Sequence, residues 1–169
     1  MPITLYSGSV PVFLQLLPAI SICLDKAQAH ADARKFDSAQ LLSCKLAPDM
    51  FPFARQIQQA TAHSIAPGRV AGVELPKFSD SIATIADLKT RVATAIDFLK
   101  GLTPAQMDGK EGEDITIQMG PNTRVMKAQA LVYHFALPNF YFHTTTAYDI
   151  LRQHGVELGK RDFMGQMPA

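Results

Sequence analysis

The segment that most constrains this chain runs from Phe135 to Leu151, where apolar or aromatic residues stand on almost every face of a helical pattern. A helix that is apolar all round must be enclosed on more than one side. Such a segment demands either a central place among several other helices or a second subunit over its outward face, so it predicts a helical bundle and a homodimer. Within it, Pro138 predicts a kink and Gly155 a stop. Asn139 and His143, four residues apart, fall one above the other on the interior side, where both can reach one small ligand or ion. Thr146, two turns beyond Asn139, shares that side.

The rest of the chain supplies three further long helices. Ser7 or Ser9 can cap the first, Pro11 sits in its first turn where a missing N–H costs little, and Val12, Leu16, Ala19 or Ile20, and Cys23 recur at helical spacing. Pro18 predicts a bend in it. A polar connector over Ala31 to Ser38 and a short helical or irregular piece over Ala39 to Leu46 lead to a second long helix, from about Met50 to Ser64. Pro67 and Gly68 kink or end that helix. Ala71 to Ser81 is too long for a tight helical hairpin, and this length lets the third helix run parallel to the second. The third has the cleanest pattern: Thr84 with Asp87 as a start signal, an Ile85, Leu88, Val92, Ile96, Leu99 stripe, and Gly101 as a stop. Thr103 to Gln106 reads as a single turn. Ile115, Ile117 and Met119 then alternate before Gly120-Pro121-Asn122, which predicts a two-stranded hairpin that must lie against the helices to be stable. The fourth helical region begins near Lys127. The fold class is thus all-α, a four-helix bundle in one domain over residues 1–169, with a long crossover between helices 2 and 3 and a β-hairpin before helix 4.

Composition excludes several functions. Of the 169 residues, 47% are hydrophobic and 18% charged, which suits one domain with a sizeable core, and the net charge of +1 leaves no basic face for nucleic acid. Cys23 and Cys44 lack CxxC spacing and read as reduced packing thiols, not zinc ligands. Val10 to Leu24 is apolar, but Gln15 and two prolines interrupt it and no Lys or Arg precedes it. It therefore reads as neither a signal peptide nor a membrane span, and the expected location is cytoplasmic. Phosphate-binding glycine loops, dinucleotide fingerprints, GxSxG elbows and HExxH motifs are all missing from the sequence.

Leu46-Ala-Pro-Asp-Met-Phe-Pro52, Leu137-Pro-Asn-Phe-Tyr-Phe-His143 and Gly159-Lys-Arg-Asp-Phe163, with the closing Ile150-Leu-Arg-Gln-His-Gly-Val156, resemble the DinB/YfiT superfamily. More narrowly, they resemble a DinB-related bacterial family of unknown function. The resemblance spans essentially the whole chain. It implies an up-down-down-up bundle, often dimeric, with a divalent metal held by one histidine on the second helix and an HxxxH pair on the fourth. Carried over residue by residue, the pair falls on Asn139 and His143 and the second-helix ligand near Asp49, so the implied metal set is degenerate: Asp49, Asn139 and His143.

Each residue also has a plainer role open to it. Asp49 suits an N-cap, Asn139 can bond carbonyls freed by Pro138, Thr146 can bond back to its own helix, and His143 can be a satisfied core histidine. A ring buried among Phe140, Phe142 and Ala147 would titrate low and stay neutral, as a ligand or general base requires. His154 is placed to cap the helix near Gly155. His134 projects away from His143, His63 lies about four turns from Asp49 and falls outside the candidate set, and His30 reads as an exposed linker residue. Lys160-Arg161-Asp162 reads as a solvated loop or as a cover for a cavity mouth. Two functional readings follow: a dimeric small-molecule-binding protein with Asn139, His143 and Thr146 against the ligand, or a metal-dependent enzyme of thiol-transferase or hydrolase type.

Overall fold

The structure, a computed structural model, describes residues 3–167. It is mostly helical, with a single two-stranded sheet among the described residues. The elements are α1 (Val10–Arg34), α2 (Ala39–Leu42), α3 (Phe53–Ser64), α4 (Pro67–Ala71), α5 (Ile85–Lys100), α6 (Pro104–Met107), β1 (Asp114–Met119), β2 (Asn122–Lys127), a π-helical segment (Ala130–Ala136), α7 (Leu137–Gln153) and α8 (Lys160–Met164).

Helix α1 buries Phe13, Leu16, Leu17, Ile20, Cys23, Leu24, Ala27 and Ala31, a stripe at three- and four-residue spacing that faces the core. On length and composition alone it could cross a bilayer, with mean hydropathy 1.5 over its most apolar window, half of which is buried inside the fold. Ser9 precedes it but does not cap it: its hydroxyl donates back to the Leu5 carbonyl. The helix also runs three residues past the predicted start of the connector, and Lys35 closes it in the left-handed conformation at φ 58°. His30 therefore sits in the helix, half-buried with its ring edge-on to Phe36 at 5.9 Å, rather than in an exposed linker.

Helix α3 starts at Phe53, later than predicted, because Pro52 occupies the N-cap in an extended conformation. Helix α5 follows its sequence pattern closely. Asp87 N–H donates to Thr84 Oγ1 at 3.1 Å and Thr84 N–H donates to Asp87 Oδ2 at 2.8 Å, so the two ends of the capping box satisfy each other. Ile85, Leu88, Val92 and Leu99 are buried, and Ile96 is half-buried.

Helix α1 packs on α5 and α8, and α3 packs on both α5 and α7. The core joins all four long helices through Phe13, Phe53, Leu88, Leu99 and Phe140, each at most 1% exposed. Burying a side chain of this size contributes roughly 2–3 kcal/mol. Phe13 and Phe140 meet edge to face with centroids 4.9 Å apart. Arg91 of α5 bonds Gln58 and Thr61 of α3, and Phe98 packs on Gly68, so α5 lies beside α3 and α4 with the same chain direction. Against α7 the order reverses: Phe51 and Gln56 meet His143, while His63 meets Phe135.

The hairpin forms where alternation predicted it, with Asp114 opposite Lys127 and Met119 opposite Asn122. Ile117 is 4% exposed, so the hairpin is held by burying one face of β1 against the helices. The region after β2 is π-helical before Pro138, not a continuous α-helix from Lys127. Gly155, at φ 82°, ends α7, and His154 Nδ1 donates to the Ile150 carbonyl at 2.8 Å, as its predicted capping role requires. Residues 160–164 are not a solvated loop: α8 docks on α1 through Lys26 and Asp162 at 2.7 Å, and Gln15 Nε2 donates to the Met164 carbonyl at 2.9 Å.

Candidate functional site

A cleft of about 720 Å³ opens between α3, α4, the hairpin, the π-helical segment and α7. Its walls are Phe51, His63 and Arg69 from the α3 side, Ile117 and Gln118 from the hairpin, Leu131 and Phe135 from the π-helical segment, and Asn139, Phe142 and His143 from α7. The π-helical segment carries Phe135, which lines this space ahead of Pro138. Such turns recur beside functional sites because the extra residue displaces side chains that an α-helix would stack.

His143 is 6% exposed, and its Nδ1 lies 2.7 Å from Gln56 Oε1. The other end of the Gln56 amide, Nε2, donates to the Phe51 carbonyl at 3.0 Å. A backbone carbonyl only accepts, so the amide NH₂ must face Phe51 and the amide oxygen must face His143. An oxygen in that place also only accepts, and His143 Nδ1 therefore carries the proton. In the neutral ring this leaves Nε2 with its lone pair. No side-chain nitrogen or oxygen that is fully buried lacks a partner among the described residues, so Nε2, which has none, opens to the cleft. The Phe51–Gln56–His143 chain thus fixes both the ring's orientation and its tautomer.

The second imidazole belongs to His63. Its ring is nearly parallel to that of His143, with centroids 5.7 Å apart and 8° between planes, and Phe135 meets it edge-on at 5.3 Å. Phe51 stacks on His143 at 6.4 Å, and Phe142 meets it edge-on at 5.3 Å. Burial in this aromatic surround, and then the charge of a protonated His143, hold His63 down to about 4. Burial, and then the Arg55 guanidinium, lower His143. Both rings are neutral at pH 7.

Of the residues singled out in the sequence, His143 and Asn139 line the cleft together, and two do not join them. Asn139 Nδ2 donates to the Phe135 carbonyl at 2.7 Å, the local role open to a polar side chain beside a proline. Thr146 Oγ1 donates to the Phe142 carbonyl at 2.7 Å and lies outside the cleft wall. Asp49 is exposed in the turn before α3, neither caps that helix nor reaches the cleft, and Gln56, seven residues on and inside α3, stands against His143 instead. His63 escaped sequence reasoning because its distance was counted from Asp49. The usable signal was the seven-residue spacing of Gln56 and His63, which puts them on one face of α3.

The donor set does not suit a divalent metal. The cleft wall carries no Asp, Glu or Cys, and among the described residues no three His, Cys, Asp or Glu side chains gather where an ion could sit. Gln56 spends its oxygen on His143, and Asn139, held through its NH₂ on Phe135, has only a neutral amide oxygen to offer, so no anionic donor faces the cleft. Arg69 on the wall and Arg55 beside it add positive charge where a cation would have to enter.

The family model described as "Domain of unknown function (DUF1993)" matches residues 5–164. A solved structure of a DinB family member protein from Shewanella denitrificans is 35% identical, with a TM-score of 0.86, covering 98% of this chain and 94% of that one. A DinB-like protein from Bacillus subtilis, 15% identical with a TM-score of 0.59 over 94% of this chain and 98% of that one, shares the fold. No functionally curated protein matches the chain. The chain thus belongs to the DUF1993 family, a DinB-like family of unknown function.

Proposed function

We propose that this chain is a cytoplasmic, homodimeric small-molecule-binding protein built on an up-down-down-up four-helix bundle, whose cleft has lost the metal site implied by its DinB resemblance. The parallel course of α5 beside α3 and the reversed course of α7 support that topology. The observation that carries the binding reading is the Phe51–Gln56–His143 chain, which presents one neutral imidazole nitrogen as an acceptor in a cleft walled by aromatic rings. A few placed polar groups in a largely apolar concavity of this size are what small-molecule recognition needs. Such a site takes a flat or apolar ligand with a hydroxyl, N–H or acid proton directed at His143 Nε2. Tyr141 of α7, 43% exposed, supports the dimer, since it leaves a large ring at the surface away from the cleft wall.

Elemental analysis of protein purified without a histidine tag, before and after incubation with Zn²⁺ or Ni²⁺, tests the loss of the metal site. The expected result is no stoichiometric metal in either sample. Stoichiometric metal that His143→Ala removes would overturn the reading in favour of a metal-dependent enzyme. Sedimentation equilibrium tests the dimer, and a monomer at tens of micromolar would contradict it.

A further inference from the structure

We infer that the cleft selects an aromatic carboxylate: a flat ring held among Phe51, Phe135 and Phe142, with its anionic group turned to Arg69. This rests on the binding reading above and adds the charge and shape of the ligand. Two independent features of the site carry it.

The first is the sign of the charge. Among the residues that line the cleft, Arg69 is the sole formal charge, with no Asp or Glu beside it. The ion pairs among the described residues are Lys26 with Asp162, Lys89 with Asp25 and Lys127 with Asp114, so Arg69 is unpaired there. Arg55, just outside the wall, is also without a carboxylate: it donates to Gln58 Oε1 at 3.4 Å and lies over the Phe51 ring at 5.7 Å. Arg69 stands exposed at the edge of the cleft and Arg55 just outside it, so with no acid on the wall the two guanidinium groups make the potential at the cleft mouth positive. A guanidinium also matches a carboxylate with two parallel N–H bonds, which a neutral ligand cannot accept as well.

The second is shape. The imidazoles of His63 and His143 are 8° from parallel, and Phe51 is 21° from His143, so three ring planes on the α3 and α7 sides share nearly one orientation. A planar ligand can slide parallel to all three, while Phe142 stands 82° to the His143 ring and Phe135 stands 73° to the His63 ring, closing the ends edge-on. Ile117, from the hairpin, adds an apolar group to the wall.

The test compares three probes of one shape and different charge, each with a ring hydroxyl that can donate to His143 Nε2: 6-hydroxy-2-naphthoate, 6-(hydroxymethyl)-2-naphthol (the alcohol) and 6-(aminomethyl)-2-naphthol (the amine), which is cationic at pH 7. Isothermal titration gives the affinities, and ¹⁵N NMR of the histidine rings reports whether the probe sits at His143. The expected order is naphthoate tightest and the amine weakest, with all binding probes shifting the His143 signals. Arg69→Gln, a surface change away from the core, should weaken naphthoate about tenfold and leave the alcohol unaltered. If the alcohol or the amine shifts His143 and binds as tightly as naphthoate, or if Arg69→Gln leaves naphthoate binding unchanged, the carboxylate inference fails while the cleft reading stands. If none of the three perturbs His143, both fall together.

Discussion

Lowering the pH should weaken this fold through His63, and the size of the loss follows from its surroundings. Burial, reinforced by the nearby His143, brings the imidazole from 6.5 to about 4. Because the folded state keeps the ring neutral, the unfolded chain binds more protons between those two values. The stability associated with the neutral ring is complete above pH 6.5, declines as pH falls, and is fully lost near pH 4. At about 1.4 kcal/mol per pH unit the interval corresponds to about 3 kcal/mol. His63 is only partly buried, and solvent screening reduces this to about 2 kcal/mol. The perturbation is His63→Gln, which keeps a polar side chain of similar reach but removes the titration. Guanidinium unfolding at pH 7 and pH 4.5 gives the free energy of each variant at each pH, and the double difference cancels carboxylates that titrate in both, such as Asp87 and Asp162. The wild type should lose about 2 kcal/mol more than His63→Gln over that range. Equal losses would refute the claim that His63 is held neutral in a desolvated aromatic niche.

Two further outcomes test the packing around the site. Arg91 is 8% exposed and ties the crossover to α3, donating to Thr61 Oγ1 at 2.7 Å, to the Ser79 carbonyl at 3.0 Å and to the Gln58 carbonyl at 3.2 Å, with its guanidinium 4.1 Å from the centre of the Phe78 ring. Arg91→Met should cost about 2–4 kcal/mol in chemical denaturation by leaving those acceptors unpaired, and hydrogen exchange should quicken first over the crossover segment 77–82. A Cβ on Gly68 would lie 2.3 Å from Phe98 Cζ and 2.8 Å from Leu75 Cδ2, so Gly68→Ala should destabilise by about 1–3 kcal/mol through overpacking of α4 on α5, read as a lower thermal midpoint.

What the sequence disclosed and what it hid divide along physical lines. Helix α5 was legible from Thr84 to Gly101 because cap, stripe and stop are all local signals, and the hairpin was legible because alternation and a glycine turn coincide. His143 was legible as an inward residue of α7, since one helix period fixes its face. Asp49 misled because capping and the family's ligand position both pointed to it, whereas the extended backbone at Pro52 delays the helix and leaves Asp49 in the preceding turn. Gln56 and His63 could be recognised only once α3 and α7 were laid in opposite directions, a tertiary fact with no single-helix signature. The π-helical turn was hidden because local propensity does not distinguish it from α-helix. The charges of the tail from Lys160 point to a solvated segment, but Asp162 caps its own short helix and pairs with Lys26, which docks the segment on α1.

The chemistry proposed for the cleft turns on which nitrogen of His143 bears the proton. Long-range ¹H–¹⁵N correlation spectra of uniformly labelled protein at pH 7, assigned by comparison with His143→Gln, read this directly. The prediction is a neutral ring with Nδ1 protonated and Nε2 bare, and a shift toward tautomer exchange in Gln56→Leu, which removes the acceptor 2.7 Å from Nδ1. A protonated Nε2, or a doubly protonated ring at that pH, would contradict the account, because the cleft would then present a donor in place of the lone pair on which its chemistry is built.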